Sequence, residues 1–316
     1  MTTYRKHLPQ RDGEKIFLSD GGIETSLIYQ GGFDLPYFAA FHLMKDQAGR
    51  EALRDYYRPY AEIAVESGLG FVLESPTWRA NPDWAAKLGH SRLTLAKVNR
   101  DAIAMMLSLR RDYETLRSPM PISGVIGPRG DGYQPDRLMS VEEADRYHAE
   151  QIRVFRDAGA DLVTAITMNY VEEAAGIARA AADAEMPSVI SITVETDGRL
   201  ATGQPLGEAI AAIDAASGNA PAYYMVNCAH PTHFATVLDA GGAWVDRIGG
   251  IRPNASTKSH AELDAATALD DGDPRDLGAR TAELRRHHGR LTVFGGCCGT
   301  DHRHIREMCL ACAAVH

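Results

Sequence analysis

Eight short apolar runs rich in β-branched residues punctuate the chain, at 16–20, 71–75, 121–127, 161–167, 188–194, 222–228, 247–253 and 291–296. Most of the intervals between them carry a 3.6-residue apolar periodicity. Strands that alternate with helices read as a parallel sheet, and eight is the number that closes a (β/α)8 barrel. The alternation predicts a TIM barrel of the α/β class, one domain over residues 1–316, with a doubly wound sheet as the other topology. The length of 316 residues fits, since barrels of about 250 residues routinely form one unit. No linker, internal repeat or low-complexity stretch interrupts the pattern. The clearest helix opens at Ser140, where Ser140 and Glu143 spell a capping box and Gly159 stands as terminator. The polar, Asp-rich segment 256–276 is expected to cover the surface between the seventh and eighth strands.

Composition narrows the function. Hydrophobic residues make up 45% and charged residues 24%, which excludes a disordered chain, a collagen and a coiled coil. Lys plus Arg number 33 against 42 Asp plus Glu, a net charge of −9. Phosphate contacts need a basic face, so nucleic acid is not an expected partner. An acidic surface suits small molecules and favours cationic ones. The opening MTTYRKHLPQRDGEK has no apolar core of a secretory signal, and no run of about 18 apolar residues spans a membrane. The expected location is the cytoplasm, and association between copies of the chain stays open.

In a (β/α)8 barrel the active site gathers at the C-terminal ends of the strands. Three of the five cysteines fall at such ends: Cys228 after the sixth strand, and Cys297 with Cys298 after the eighth. Thiolates hold zinc at about 2.3 Å in tetrahedral geometry, and three protein ligands leave a fourth position open, the catalytic pattern. Neighbouring cysteines on an extended strand point to opposite faces. Gly295, Gly296 and Gly299 permit the sharp turn that brings both to one metal. Three thiolates make the metal a poor activator of water but a good partner for an incoming thiol, which is then held deprotonated and nucleophilic. The chemistry this favours is alkyl transfer to a thiol. The other readings are core cysteines without metal and a disulfide between the adjacent pair. Cys309 and Cys312 share one helix face with Ile305 and Met308 and read as core. The histidines at 287, 288, 302 and 304 sit in polar surroundings and read as surface.

Three runs together carry a family likeness: Leu18-Ser19-Asp20-Gly21-Gly22-Ile23-Glu24-Thr25, Asn227-Cys228, and Gly295-Gly296-Cys297-Cys298-Gly299-Thr300. The chain resembles the zinc-dependent homocysteine S-methyltransferases, a family that includes betaine-dependent enzymes, over nearly its whole length. The resemblance implies a (β/α)8 barrel, zinc held by Cys228, Cys297 and Cys298, and an acceptor thiol that binds zinc, loses its proton and attacks a donor methyl. It implies that Asp20 orients the acceptor through its ammonium. The family's second ammonium partner, a glutamate at the end of strand four, falls here on Ile166, followed by Thr167. Glu74, on the neighbouring strand, is the expected replacement, with Glu195 next. Thr167 and Asn227 complete the expected substrate contacts. Trp78 stands where an aromatic face can hold a methylated cation, worth about 0.5–2 kcal/mol. The chain has no room for folate or cobalamin modules, so the donor is a free sulfonium or ammonium compound, with S-methylmethionine or S-adenosylmethionine favoured. The rival functions are the same zinc–thiolate chemistry on another thiol, as in a demethylase, and a zinc-binding barrel without turnover.

Overall fold

The structure is a computed structural model that describes residues 3–13 and 15–315; Met1, Thr2 and His316, the ends of the expected unit, lie outside the described residues. Nine parallel strands form a nearly closed barrel: β1 (Phe17–Leu18), β2 (Gly70–Phe71), β3 (Leu73–Glu74), β4 (Ile122–Ile126), β5 (Leu162–Met168), β6 (Ser188–Thr193), β7 (Pro221–Asn227), β8 (Ile248–Arg252) and β9 (Val293–Phe294). The strand order is β2-β1-β9-β8-β7-β6-β5-β4-β3. β2 and β3 are two halves of one barrel strand, parted by Val72. Across that break Val72 N–H donates to Leu18 O (2.8 Å) and Leu73 N–H to Pro121 O (2.9 Å), so both edges of the sheet meet in one stretch of chain. The eight expected runs are therefore the eight barrel strands, most with ends shifted by one or two residues. The run at 291–296 shrinks most, because Gly295 and Gly296 already belong to the turn that carries the cysteines.

Eight helices wrap the sheet, one after each barrel strand: α1 (Gln47–Ser67), α2 (Arg92–Tyr113), α3 (Val141–Ala158), α4 (Val171–Asp183), α5 (Leu206–Ser217), α6 (Pro231–Asp239), α7 (Pro274–His287) and α8 (His302–Ala313). α3 starts as expected. The Ser140 hydroxyl accepts from Glu143 N–H, the Glu143 carboxylate accepts from Ser140 N–H, and Gly159 closes the helix at φ 99°. Ser140→Ala should cost about 1 kcal/mol, read as a lower denaturation midpoint at unchanged slope.

Two apolar layers hold the barrel. Phe17, Val72, Leu162, Val189, Met225 and Val293 come from strands all round the sheet yet form one buried cluster, so they fill its interior. A larger cluster joins the outer faces of the strands to the helices, with Phe71, Phe155, Tyr224 and Phe294 fully buried. Cys309 and Cys312 belong to it, at 3% and 0% exposure, as their helical spacing indicates. His304 departs from its surface assignment. It is fully buried, because it is the third residue of the capping box that Asp301 forms at the start of α8. Among the described residues no helix is long and apolar enough to cross a membrane.

Candidate functional site

A cavity of about 250 Å³ opens at the C-terminal ends of the strands. The cysteines lie at its wall. Cys228 directly follows β7, where its backbone takes the left-handed conformation (φ 53°). Cys297 and Cys298 follow β9 in a turn closed by Gly299 at φ 79°. The turn is pinned by backbone bonds from Cys297 N–H to Pro253 O (2.8 Å) and from Ala255 N–H to Cys298 O (3.1 Å). A Cβ at Gly296 would collide with the Thr300 hydroxyl, so the tightness of the turn depends on that glycine. The result is the convergence expected from the sequence: the three Sγ atoms lie within 4.8 Å of one another.

Two of the three sulfurs differ from the expected thiolate state. Cys228 and Cys297 are joined in a disulfide, while Cys298 is a free thiol. The adjacent pair, considered from sequence, is not the one that bonds. Cys228 and Cys297 stand opposite one another with Cα atoms 5.2 Å apart, ordinary disulfide reach. Hydroxyls face the other sides of the cluster, Thr167 Oγ1 at 3.9 Å from Cys228 Sγ and Tyr133 Oη at 3.7 Å from Cys298 Sγ. Burial and the neighbouring Cys298 push the Tyr133 phenol well above its usual value, so it remains a hydroxyl. Three sulfur donors on one cavity wall suit a thiophilic divalent ion, and zinc among them.

The expected substrate contacts are rearranged. Asp20 and Glu74 do come together, but around a third residue the sequence reading missed. Arg252, at the end of β8, donates from Nη2 to Asp20 Oδ1 (2.9 Å), and its Nη1 meets the Glu74 carboxylate. Tyr56 Oη donates to the other Asp20 oxygen (2.9 Å). Both carboxylates are buried and share the chain's own guanidinium, one cation between two anions, so the Glu74 carboxylate already has a partner within the chain. A lone arginine ending an apolar strand was the available signal. Glu195, the next candidate, instead faces His260 Nδ1 (3.3 Å) and does not line the cavity.

Asn227 does not line the cavity either. It is fully buried, with its amide oxygen accepting from Thr167 N–H (3.1 Å) and Ser191 Oγ (2.7 Å), and its amide nitrogen donating to Thr167 Oγ1 (3.0 Å). Its bonds within the chain hold Thr167, whose φ is 65°. Thr167, Ile166 and Trp78 line the cavity as expected. The Trp78 indole N–H donates to Ile166 O (3.2 Å), and the Arg79 guanidinium lies 4.0 Å from the Trp78 ring centre. The cation on that aromatic face is thus the chain's own. Segment 256–276 does more than cover surface, since Ser256, His260, Leu263 and Leu269 form part of the cavity wall.

Comparison with known proteins agrees with this geometry. A family model described as homocysteine S-methyltransferase matches residues 17–312. The homocysteine S-methyltransferase of Escherichia coli K12 is 25% identical over 212 residues, which span 63% of this chain and 66% of the relative. Homocysteine S-methyltransferase YbgG of Bacillus subtilis 168 is 22% identical over 94% of both chains. The fold matches the homocysteine methyltransferase MmuM from Escherichia coli. Its oxidized form has a TM-score of 0.74 at 18% identity, covering 97% of this chain and 99% of that one. Its metallated form has a TM-score of 0.71 at 19% identity, covering 95% and 97%.

Proposed function

Because the chain belongs to the homocysteine S-methyltransferase family, we propose that it transfers a methyl group from a sulfonium or quaternary ammonium donor to the thiol of homocysteine, with zinc held by Cys228, Cys297 and Cys298. Residues 1–316 act as one catalytic unit, and S-methylmethionine or S-adenosylmethionine is the donor class that fits. The observation that carries this reading is the meeting of three sulfurs within 4.8 Å on the wall of the cavity. Zinc bound there supplies the positive charge that favours the acceptor's thiolate form near neutral pH.

The chain's own residues supply the rest. The Thr167 and Tyr133 hydroxyls face the cysteine sulfurs and fix their orientation, as groups around metal ligands do. Ile166, Leu263 and Leu269 give the cavity apolar walls that exclude water from the reacting methyl. Glu24, Asp131 and Asp264 line the same cavity and favour a cationic donor. The acceptor thiolate attacks the donor methyl. The new S–CH3 bond forms as the donor's bond to that methyl breaks, and the bonding electrons leave with the donor, which becomes neutral. Holding both reactants in line is the main contribution of the cavity.

Three thiolate ligands become available only once the Cys228–Cys297 bond is reduced. The disulfide form should therefore take up zinc only after treatment with a thiol reductant, and methionine formation from homocysteine and S-methylmethionine should appear together with the metal. Mass spectrometry of the intact protein, metal analysis and product chromatography follow the three quantities. Full zinc uptake with the disulfide intact would rule out this ligand set.

A further inference from the structure

Most charges around the cavity are matched. Arg252 is held between Asp20 and Glu74, Asp270 accepts from Lys258 (2.9 Å), and Asp131 accepts from the N–H groups of Tyr133 and Gln134. Asp264 is exposed to water. Arg252 offsets one of its two carboxylates, and two further groups of opposite sign have no charged partner of their own among the described residues. Arg79 is 6% exposed, and among the described residues no carboxylate pairs with it. Its Nη1 donates to Gly130 O (3.0 Å), while its Nε is buried without a partner. The guanidinium is gripped between the rings of Trp78 and Trp84, 4.0 Å from each centre, which fixes its plane. Glu24 is half-buried on the short helical turn Ile23–Thr25, and among the described residues no cation pairs with its carboxylate. Burial, reinforced by Asp20, pushes its carboxyl up to about 7, against the pull of Arg79 and Arg252. Asp131 and, less strongly, Glu24 act on Arg79 without forming an ion pair with it, and Arg79 in turn acts on Glu24. An unpaired buried charge is costly unless a ligand completes it.

The geometry points to Glu24 and Arg79 as a two-point clamp for the zwitterionic end of an α-amino-acid substrate, with Glu24 taking the ammonium and Arg79 the carboxylate. This rests on the reading that the cavity handles amino-acid sulfur compounds, and it assigns their recognition to residues other than Asp20 and Glu74. A planar guanidinium held by aromatic rings presents its free edge to a carboxylate with little loss of freedom. The amino acid can be the acceptor thiol or an amino-acid sulfonium donor, since both carry the same end group.

The test is titration calorimetry on reduced, zinc-loaded protein, which reads binding without turnover. The thiol probes are homocysteine, 4-mercaptobutanoate (no ammonium) and 3-mercaptopropylamine (no carboxylate). The sulfonium probes are S-methylmethionine and trimethylsulfonium. Wild type should bind at least one amino-acid probe about 10- to 100-fold tighter than its truncated counterparts, the range of a charge-assisted hydrogen bond. Arg79→Gln should remove the preference over 3-mercaptopropylamine and leave that amine's own affinity unchanged. Glu24→Gln should do the same for 4-mercaptobutanoate. Arg79→Lys keeps a cation between the tryptophans and should restore part of the carboxylate preference. If the losses fall on the thiols the clamp holds the acceptor, and if on S-methylmethionine it holds the donor. Equal binding of amino-acid and truncated probes by wild type overturns the clamp, and needs no variant. An unchanged preference in folded Arg79→Gln and Glu24→Gln overturns it as well. Absence of methionine formation from any donor, with the binding preferences intact, would instead reject the methyl-transfer reading and keep the clamp.

Discussion

Cys298→Ser should yield a folded chain without zinc, and methyl transfer to homocysteine should fall by at least about a thousandfold, the several kcal/mol that a metal's charge supplies to such a step. Cys298 is the most direct of the three positions to change, because it is the free thiol of the cluster. Cys228→Ser and Cys297→Ser should give the same loss. Cys309→Ala and Cys312→Ala are the internal comparison. Both cysteines are packed in the core under α8, so these variants should retain one zinc per chain and full activity, at a packing cost of about 1 kcal/mol. Metal analysis and methionine formation on all five proteins decide the matter. Full turnover in a zinc-free Cys298→Ser protein would remove the metal from the reaction, and zinc loss in Cys312→Ala would place a ligand in the wrong element.

Arg252→Met should be the most destabilising single change at the site, at about 3–5 kcal/mol, because it strands two buried carboxylates without their cation. At roughly 2–4 °C per kcal/mol for domains of this size class, the melting temperature should drop by about 10 °C. Arg252 is 6% exposed and also donates from Nε to Gly296 O (3.0 Å) and from Nη2 to Gly21 O (3.2 Å), so it ties β8 to both loops that shape the cavity. The double variant Arg252→Met with Glu74→Gln should recover part of the loss, since one of the stranded charges is gone. Urea denaturation of the two proteins measures this. A loss under about 1 kcal/mol would show that Asp20 and Glu74 do not depend on Arg252. Glu74→Gln alone should weaken thiols with and without an ammonium alike, contrary to the contact expected of Glu74 from sequence.

The barrel was legible because the strands are buried on both faces and most of the apolar runs end at or beside a glycine or proline. The cysteine cluster was legible for a related reason. Once strand ends are known, residues far apart in sequence share a rim, and Cys228 can be set beside Cys297 and Cys298. Arg252 escaped because its meaning lies across the barrel. Asp20 is 232 positions away and becomes a neighbour only through the order β1-β9-β8. Asn227 was expected among the substrate contacts, but its bonds to Thr167 and Ser191 were not legible, because they reach residues 60 and 36 positions away, on β5 and β6. His304 was assigned to the surface from its polar neighbours, and its burial follows from the cap it shares with Asp301.

Thr167 and Cys228 both sit at strand ends in the left-handed region, at φ 65° and 53°, where neither a β-branched nor a thiol side chain is at ease. A glycine would relax either backbone, by about 1 kcal/mol or more. At Thr167 it would also remove the hydroxyl that Asn227 holds and that faces the Cys228 sulfur, and at Cys228 it would remove the sulfur itself. Selection for heat resistance alone would therefore drive both positions toward glycine and dismantle the site as it did so. Efforts to raise the durability of this barrel should leave these two strand ends alone and seek their gains in the outer helices, where tolerance to heat and turnover do not compete.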